Sequence, residues 1–201
     1  MMNAMSSKPI VAAVITVIGL IIVLFFVLLS PYHSSNYEMI SASQAASVLG
    51  GKWTIMTNAS GTVTPINSTA SKVSFANGTT RVVSDSSLGL GHYGMENSFL
   101  VPNSQLLIES LAGINTTYGN MTLFVFKYTT PNSTFAESIF NSIKSNFSEG
   151  SPPTTINGYN VYTTHIGFVI GIKGNQIVLV AESSDFLFPN SALQKLFAYA
   201  T

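Results

Sequence analysis

The sequence predicts an α+β protein: a single N-terminal transmembrane helix, then an extracytoplasmic domain of mainly antiparallel sheet with packed helices. Three observations carry that expectation. Residues 10–29 are an apolar run broken only by Thr16 and Gly19, with no charge inside it. Farther on, short stretches of period-two hydrophobicity, as in 52–57 and 159–182, alternate with period-3.6 stretches, as in 134–147. Turn signals such as Gly174-Asn175 then join the period-two stretches as hairpins.

At 1.5 Å per residue, a helix of about twenty residues is roughly 30 Å long, the thickness of a bilayer core. A soluble helix would keep a polar face, and this stretch has none. Lys8 precedes the run, and no Lys or Arg follows it until Lys52. By the positive-inside rule residues 1–9 are cytoplasmic, 10–30 are a signal-anchor spanning the membrane lipid, 31–37 are a tether and 38–201 lie outside. A cleaved signal peptide is the rival reading. Its apolar region is typically about 7–15 residues and ends in small residues. Here the run is longer and ends Leu28-Leu29-Ser30-Pro31.

Only 8% of the residues are charged, against roughly 25% in an average soluble domain, and eight basic residues balance eight acidic ones. With no basic face, nucleic acid is not an expected partner. Hydrophobic residues make up 46%, enough for a sizeable core. Ser and Thr number 46 and Asn 16, so the surface is wetted by hydroxyls and amides. Such a surface keeps its character in acid. Cys is absent, so stability rests on packing even though disulfides are allowed outside the cell. In composition the chain resembles envelope proteins of thermoacidophilic archaea.

N-x-[ST] occurs at Asn58, Asn67, Asn77, Asn115, Asn120, Asn132 and Asn146. Chance in so Asn/Ser/Thr-rich a chain would give roughly 4. All seven lie beyond the apolar run, where N-glycosylation is possible, and none lies after Ser148. An Asn-rich surface that throws up sequons is the plainer account, and a glycosylated outer surface the sharper one.

In chain order, Pro31 stops the apolar helix. Ser41 and Gln44 have capping-box spacing for a helix over 41–49, which Gly50-Gly51 ends. Residues 52–57 alternate as a half-buried strand with Trp53, the only Trp, turned inward. Weaker strands are expected at 63–66, 72–76 and 80–83, and a Gly/Ser-rich loop at 84–98. Residues 103–111 read as a helix. Residues 121–128 form the strongest strand, central to a sheet. Thr134 and Glu137 suggest a capping box for a helix whose face is Phe135, Ile139, Phe140, Ile143 and Phe147. Residues 159–165, 168–173 and 176–182 follow as sequential antiparallel strands, and a last helix turns Leu193, Leu196 and Phe197 inward. Helices on one sheet face complete the expected architecture.

One octapeptide recurs. Residues 99–106, FLVPNSQL, match 186–193, FLFPNSAL, at six of eight positions. Two readings stand: good helix-starting chemistry used twice, or an old duplication with halves 38–112 and 119–201.

Chemistry-bearing motifs do not survive inspection. Gly89-Leu90-Gly91-His92-Tyr93-Gly94 has the dinucleotide spacing but neither the strand before nor the helix after it. His33, His92 and His165 share no ligand spacing, and without Cys a structural zinc site is not expected. Asp85, His92 and a Ser could meet only through folding. No catalytic, cofactor or metal residue is therefore expected, and the balance leans away from an enzyme.

The expectation is a membrane-anchored, glycosylated, non-enzymatic accessory or interaction subunit with a protein partner in a cell-envelope or membrane complex. The alternative is a surface filament subunit. The layout resembles archaeal type IV pilins, an apolar N-terminal helix carrying a β-rich head, but Ser6-Ser7-Lys8-Pro9 matches their processing site poorly. An anchored hydrolase comes last.

Overall fold

The computed structural model describes residues 37–85, 100–115, 119–146, 152–164, 167–183 and 188–201. The expected transmembrane helix and most of the Gly-rich loop lie outside the described residues, as do Phe147, His33, His92 and His165. None of the described helices is long and apolar enough to cross a membrane. Residues 37–201 form one unit.

Its elements are α1 (Ala42–Leu49), β1 (Lys52–Ile55), β2 (Gly61–Pro65), β3 (Ala70–Phe75), β4 (Thr80–Ser84), β5 (Gln105–Asn115) and β6 (Gly119–Thr129), then α2 (Ser133–Asn146), β7 (Thr154–Ile156), β8 (Tyr159–Thr163), β9 (Phe168–Lys173), β10 (Gln176–Ser183) and α3 (Asn190–Ala200). The ten strands form one sheet in the order β4-β3-β2-β5-β6-β10-β9-β8-β7, with β1 as a spur on β5. Every described pairing is antiparallel. This is the expected class, mostly antiparallel sheet with a few helices. β6 is central as expected, between β5 and β10. The hairpin of β5 and β6 pairs over its whole length, from Gln105↔Thr129 to Asn115↔Gly119.

Two-residue turns set the register of the last strands. Gly174 takes φ 57 in the turn joining Lys173 to Gln176, as the sequence signalled. Asn157 and Gly158 both take positive φ, 50 and 81, in the turn from β7 to β8. That pairing adds a short strand, β7, to the expected set.

Three expectations need correction. The first concerns residues 103–111, which form no helix; Gln105–Asn115 is strand β5, paired to β6 on one side and to β1 and β2 on the other. Two rows of backbone hydrogen bonds outweigh the local preference of Leu-Leu-Ile-Glu-Ser-Leu. The second concerns the cap of α2, which is Asn132, whose Oδ1 accepts from the Phe135 N–H at 2.9 Å, not a Thr134/Glu137 box. The expected box at α1 is present: Gln44 N–H donates to Ser41 Oγ at 3.1 Å, and Ser41 N–H to Gln44 Oε1 at 2.8 Å.

The third correction is the layering. Helices cover both faces of the sheet. Beneath α1 and α3, Leu111, Leu123, Val125, Val161, Val169 and Val180 meet Ala45, Leu49, Leu193, Leu196 and Phe197. On the opposite face Leu106, Phe126, Tyr128, Ile170 and Leu179 meet Ala136, Ile139, Phe140 and Ile143 of α2. The physical reason is in β9 and β10. Residues 168–171 and 177–181 are buried without alternation, so both sheet faces are apolar there and each requires a cover.

Candidate functional site

The most unusual group among the described residues is Glu109. It lies in the middle of β5 with no solvent exposure. The strand to its side is interrupted: β1 ends at Ile55↔Leu111, β2 begins at Gly61↔Ile108, and residues 56–60 loop out between them. Ser60 and Ser110 close the gap. Ser110 N–H donates to Ser60 Oγ at 3.0 Å, Met56 N–H donates to Ser110 O at 2.8 Å, and Ser110 Oγ donates to Ala59 O at 3.3 Å. Both serines are buried.

On the α1 side of the sheet, Glu109 Oε2 accepts from Ile40 N–H at 2.8 Å and from Met39 N–H at 3.1 Å. Its Oε1 is buried with no hydrogen-bond partner. Burial lifts this carboxyl from 4.5 to about 7; the two backbone donors pull it down and Glu38 pushes it up, but desolvation prevails. Glu109 thus clasps Met39 and Ile40, just ahead of α1, to the central strand and changes protonation near neutrality. With 0% exposure, its carboxylate serves here as the acceptor that ties Met39 and Ile40 to β5. Nothing in the sequence reading singled it out. The available signal was one acidic residue within the mostly apolar Leu106–Ile114 stretch.

The sequon residues spread over the first part of the domain. Asn58 is exposed in the loop-out, Asn67 in the β2–β3 turn, Asn77 in the β3–β4 turn, Asn120 early in β6 and Asn132 before α2. In two of them the sequon folds on itself. Asn67 Oδ1 accepts from Thr69 N–H at 2.9 Å and from Thr69 Oγ1 at 3.2 Å; Asn77 Oδ1 accepts from Thr79 N–H at 2.9 Å and from Thr79 Oγ1 at 2.7 Å. These Asx turns use the carbonyl oxygen, and among the described residues the amide nitrogen makes no hydrogen bond. Asn115 differs. It is half-buried and its Nδ2 donates to Leu49 O at 3.1 Å, satisfying the C-terminus of α1. The Asn146 side chain lies outside the described residues.

Asp85 is buried just after β4, its N–H donating to Thr69 O at 3.0 Å, while its suggested partner His92 lies outside the described residues. Among the described residues no group of three His, Cys, Asp or Glu could hold a metal ion. Lys144 and Lys173 are occupied as cation–π partners, 5.5 Å from the ring centres of Tyr162 and Tyr159. Compared with known protein families, with curated proteins and with solved structures, the chain matches none.

Proposed function

We propose that this protein is held in the cell membrane by residues 10–30, N-terminus inside, and presents residues 38–201 outside as a glycosylated, non-enzymatic accessory or interaction subunit of an envelope or membrane complex. One observation carries the reading: Asn58, Asn67, Asn77, Asn120 and Asn132 are all exposed, and among the described residues none spends its amide nitrogen on a hydrogen bond. Glycans there would stand on β1–β6 and the start of α2, leaving β7–β10 and α3 bare. A charge-poor hydroxyl surface suits an exterior where carboxylates are protonated, and Glu109 suits it too, because its buried carboxyl is neutral in acid.

The test is protease treatment of intact cells combined with intact mass of the membrane-extracted protein. The expected outcome is digestion of residues 38–201, survival of an N-terminal membrane fragment, and a mass above that of the bare polypeptide. A protected domain overturns the orientation. A soluble chain beginning near Pro31 overturns the anchor. A bare mass overturns glycosylation.

A further inference from the structure

Residues 37–40 form a strap over the sheet, just ahead of α1. Among the described residues two hydrogen bonds tie the strap to the sheet, and Glu109 Oε2 accepts both, from Met39 and Ile40 N–H. The other hold is apolar. Ile40 is fully buried in the core beneath α1, and Met39 packs against that core. The start of α1 is secured without the strap. Ser41 and Gln44 cap it reciprocally, and Ala45 N–H donates to Ser41 O, so its first turn is satisfied from Ser41 onward. The strap can therefore lift without unwinding the helix. Ser41, extended at φ −68 and ψ 153, is the pivot.

Under the strap stands a carboxyl in an unfavourable place. Glu109 is shut from water, and its Oε1 has no hydrogen-bond partner. A neutral carboxyl in such a site forgoes one hydrogen bond, whereas a carboxylate forgoes the hydration of a full charge, which is the larger loss. The neighbouring charges do not offset it. Glu38, in the strap, has the same sign and disfavours ionisation. Lys127 on β6 is diagonal to Glu109, opposite Leu107, and among the described residues forms no ion pair with it. Val125 directly opposite, Val180 beyond it on β10, residues 56–60 and all of α1 carry no charge.

We propose that residues 37–40 are a pH-operated strap, closed on β5 while Glu109 is neutral and released when Glu109 ionises. The proton goes to solvent, and lifting the strap lets water reach both carboxyl oxygens. It also parts Glu109 from Glu38. The burial of Ile40 holds the strap down in acid, and its release bares Ile40 together with the sheet beneath. Four residues, up to about 14 Å of extended chain, are then added ahead of α1. The device belongs to the domain and does not rest on the membrane reading.

Amide hydrogen exchange of the full-length chain in detergent micelles tests it, with rates corrected for the intrinsic pH dependence of exchange. Burial holds the carboxyl at about 7 rather than 4.5, so opening is least in acid, grows as pH rises towards 7 and then levels off. Protection of Met39 and Ile40 N–H should fall roughly 70-fold from pH 5 to pH 8. At both pH values it should stay at least about tenfold below that of Val125 and Phe126 in the central strand, which exchange only when the sheet unfolds. Glu109→Gln, neutral throughout, should abolish the fall. Equal protection of the strap and β6, strap protection that does not change with pH, or an unaltered fall in Glu109→Gln overturns the proposal. Should Glu109→Gln fail to fold, the wild-type profile decides.

Discussion

The two faces of the sheet solve the same problem with different side chains. Under α1 and α3 the strands offer valines beside Leu111, Leu123 and Tyr159, and glycines let other groups settle onto the backbone. A Cβ at Gly113 would lie 2.6 Å from the Trp53 ring, and one at Gly171 would run into Phe197. Under α2 the strands offer Phe126, Tyr128, Tyr162 and Phe168, and α2 fills the remaining space with Phe140 and aliphatic residues. The first face is tight where Gly113 and Gly171 admit the Trp53 and Phe197 rings; the second is filled by large side chains from both partners. The first should therefore suffer from added atoms and the second from removed ones.

The largest expected effect is on the α2 face. Phe140→Ala should lose about 3–5 kcal/mol of folding stability in chemical denaturation, since Phe140 is buried. A loss below about 1 kcal/mol would show that α2 does not carry that face. Next comes Glu109, the buried carboxyl on the tight face. Its carboxyl sits at about 7 when folded, above 4.5, so the stabilisation from proton uptake is complete below pH 4.5 and disappears as pH rises through 7. The domain should be about 3 kcal/mol more stable in acid than at pH 8 on this account. Glu109→Gln, a neutral isostere, should flatten that slope; an unaltered slope would assign the pH dependence elsewhere.

Gly113→Ala tests the tight face by addition. It should cost about 1–3 kcal/mol and shift the near-ultraviolet signal of Trp53, the only Trp. An unchanged spectrum and stability would mean Trp53 moves freely. The smallest effect is at the end of α3. There Asn157 Nδ2 donates to Ala198 O at 2.9 Å and to Thr201 Oγ1 at 3.1 Å, while the residue itself holds φ 50. Asn157→Gly keeps the backbone shape and removes the cap, so it should cost about 1 kcal/mol in thermal unfolding. No loss would mean solvent serves the Ala198 carbonyl and the Thr201 hydroxyl as well.

Where the sequence was legible, a local signal and a tertiary demand agreed. The Ser41/Gln44 box, the Gly174 turn and the three strands from Tyr159 to Ser183 needed only neighbours a few residues away. The Phe135/Ile139/Phe140/Ile143 stripe correctly announced a buried helix face, though Phe135 is only half-buried. The second helix layer was not legible, because a strand buried on both faces shows no alternation to say which face is which. Glu109 was not legible either. A lone acid in an apolar stretch reads as a solvated residue until the chain brings Met39 and Ile40 over it from about seventy positions away.

The repeated octapeptide marks that boundary most clearly. By itself the sequence determined that Pro-Asn-Ser starts a new element after an apolar stretch in both copies. It did not determine which element. At the first copy Asn103 takes φ 63, Ser104 Oγ donates back to Val101 O at 2.6 Å, and strand β5 follows. At the second Pro189 O accepts from Ala192 N–H at 2.8 Å and helix α3 follows. Leu106 and Leu193, equivalent in the repeat, are both buried, one on each sheet face. Tertiary structure decided between them. Gln105–Asn115 finds open strands on both sides and gains a ladder with each, whereas Asn190–Ala200 lies over a face already paired and can satisfy its backbone only within itself.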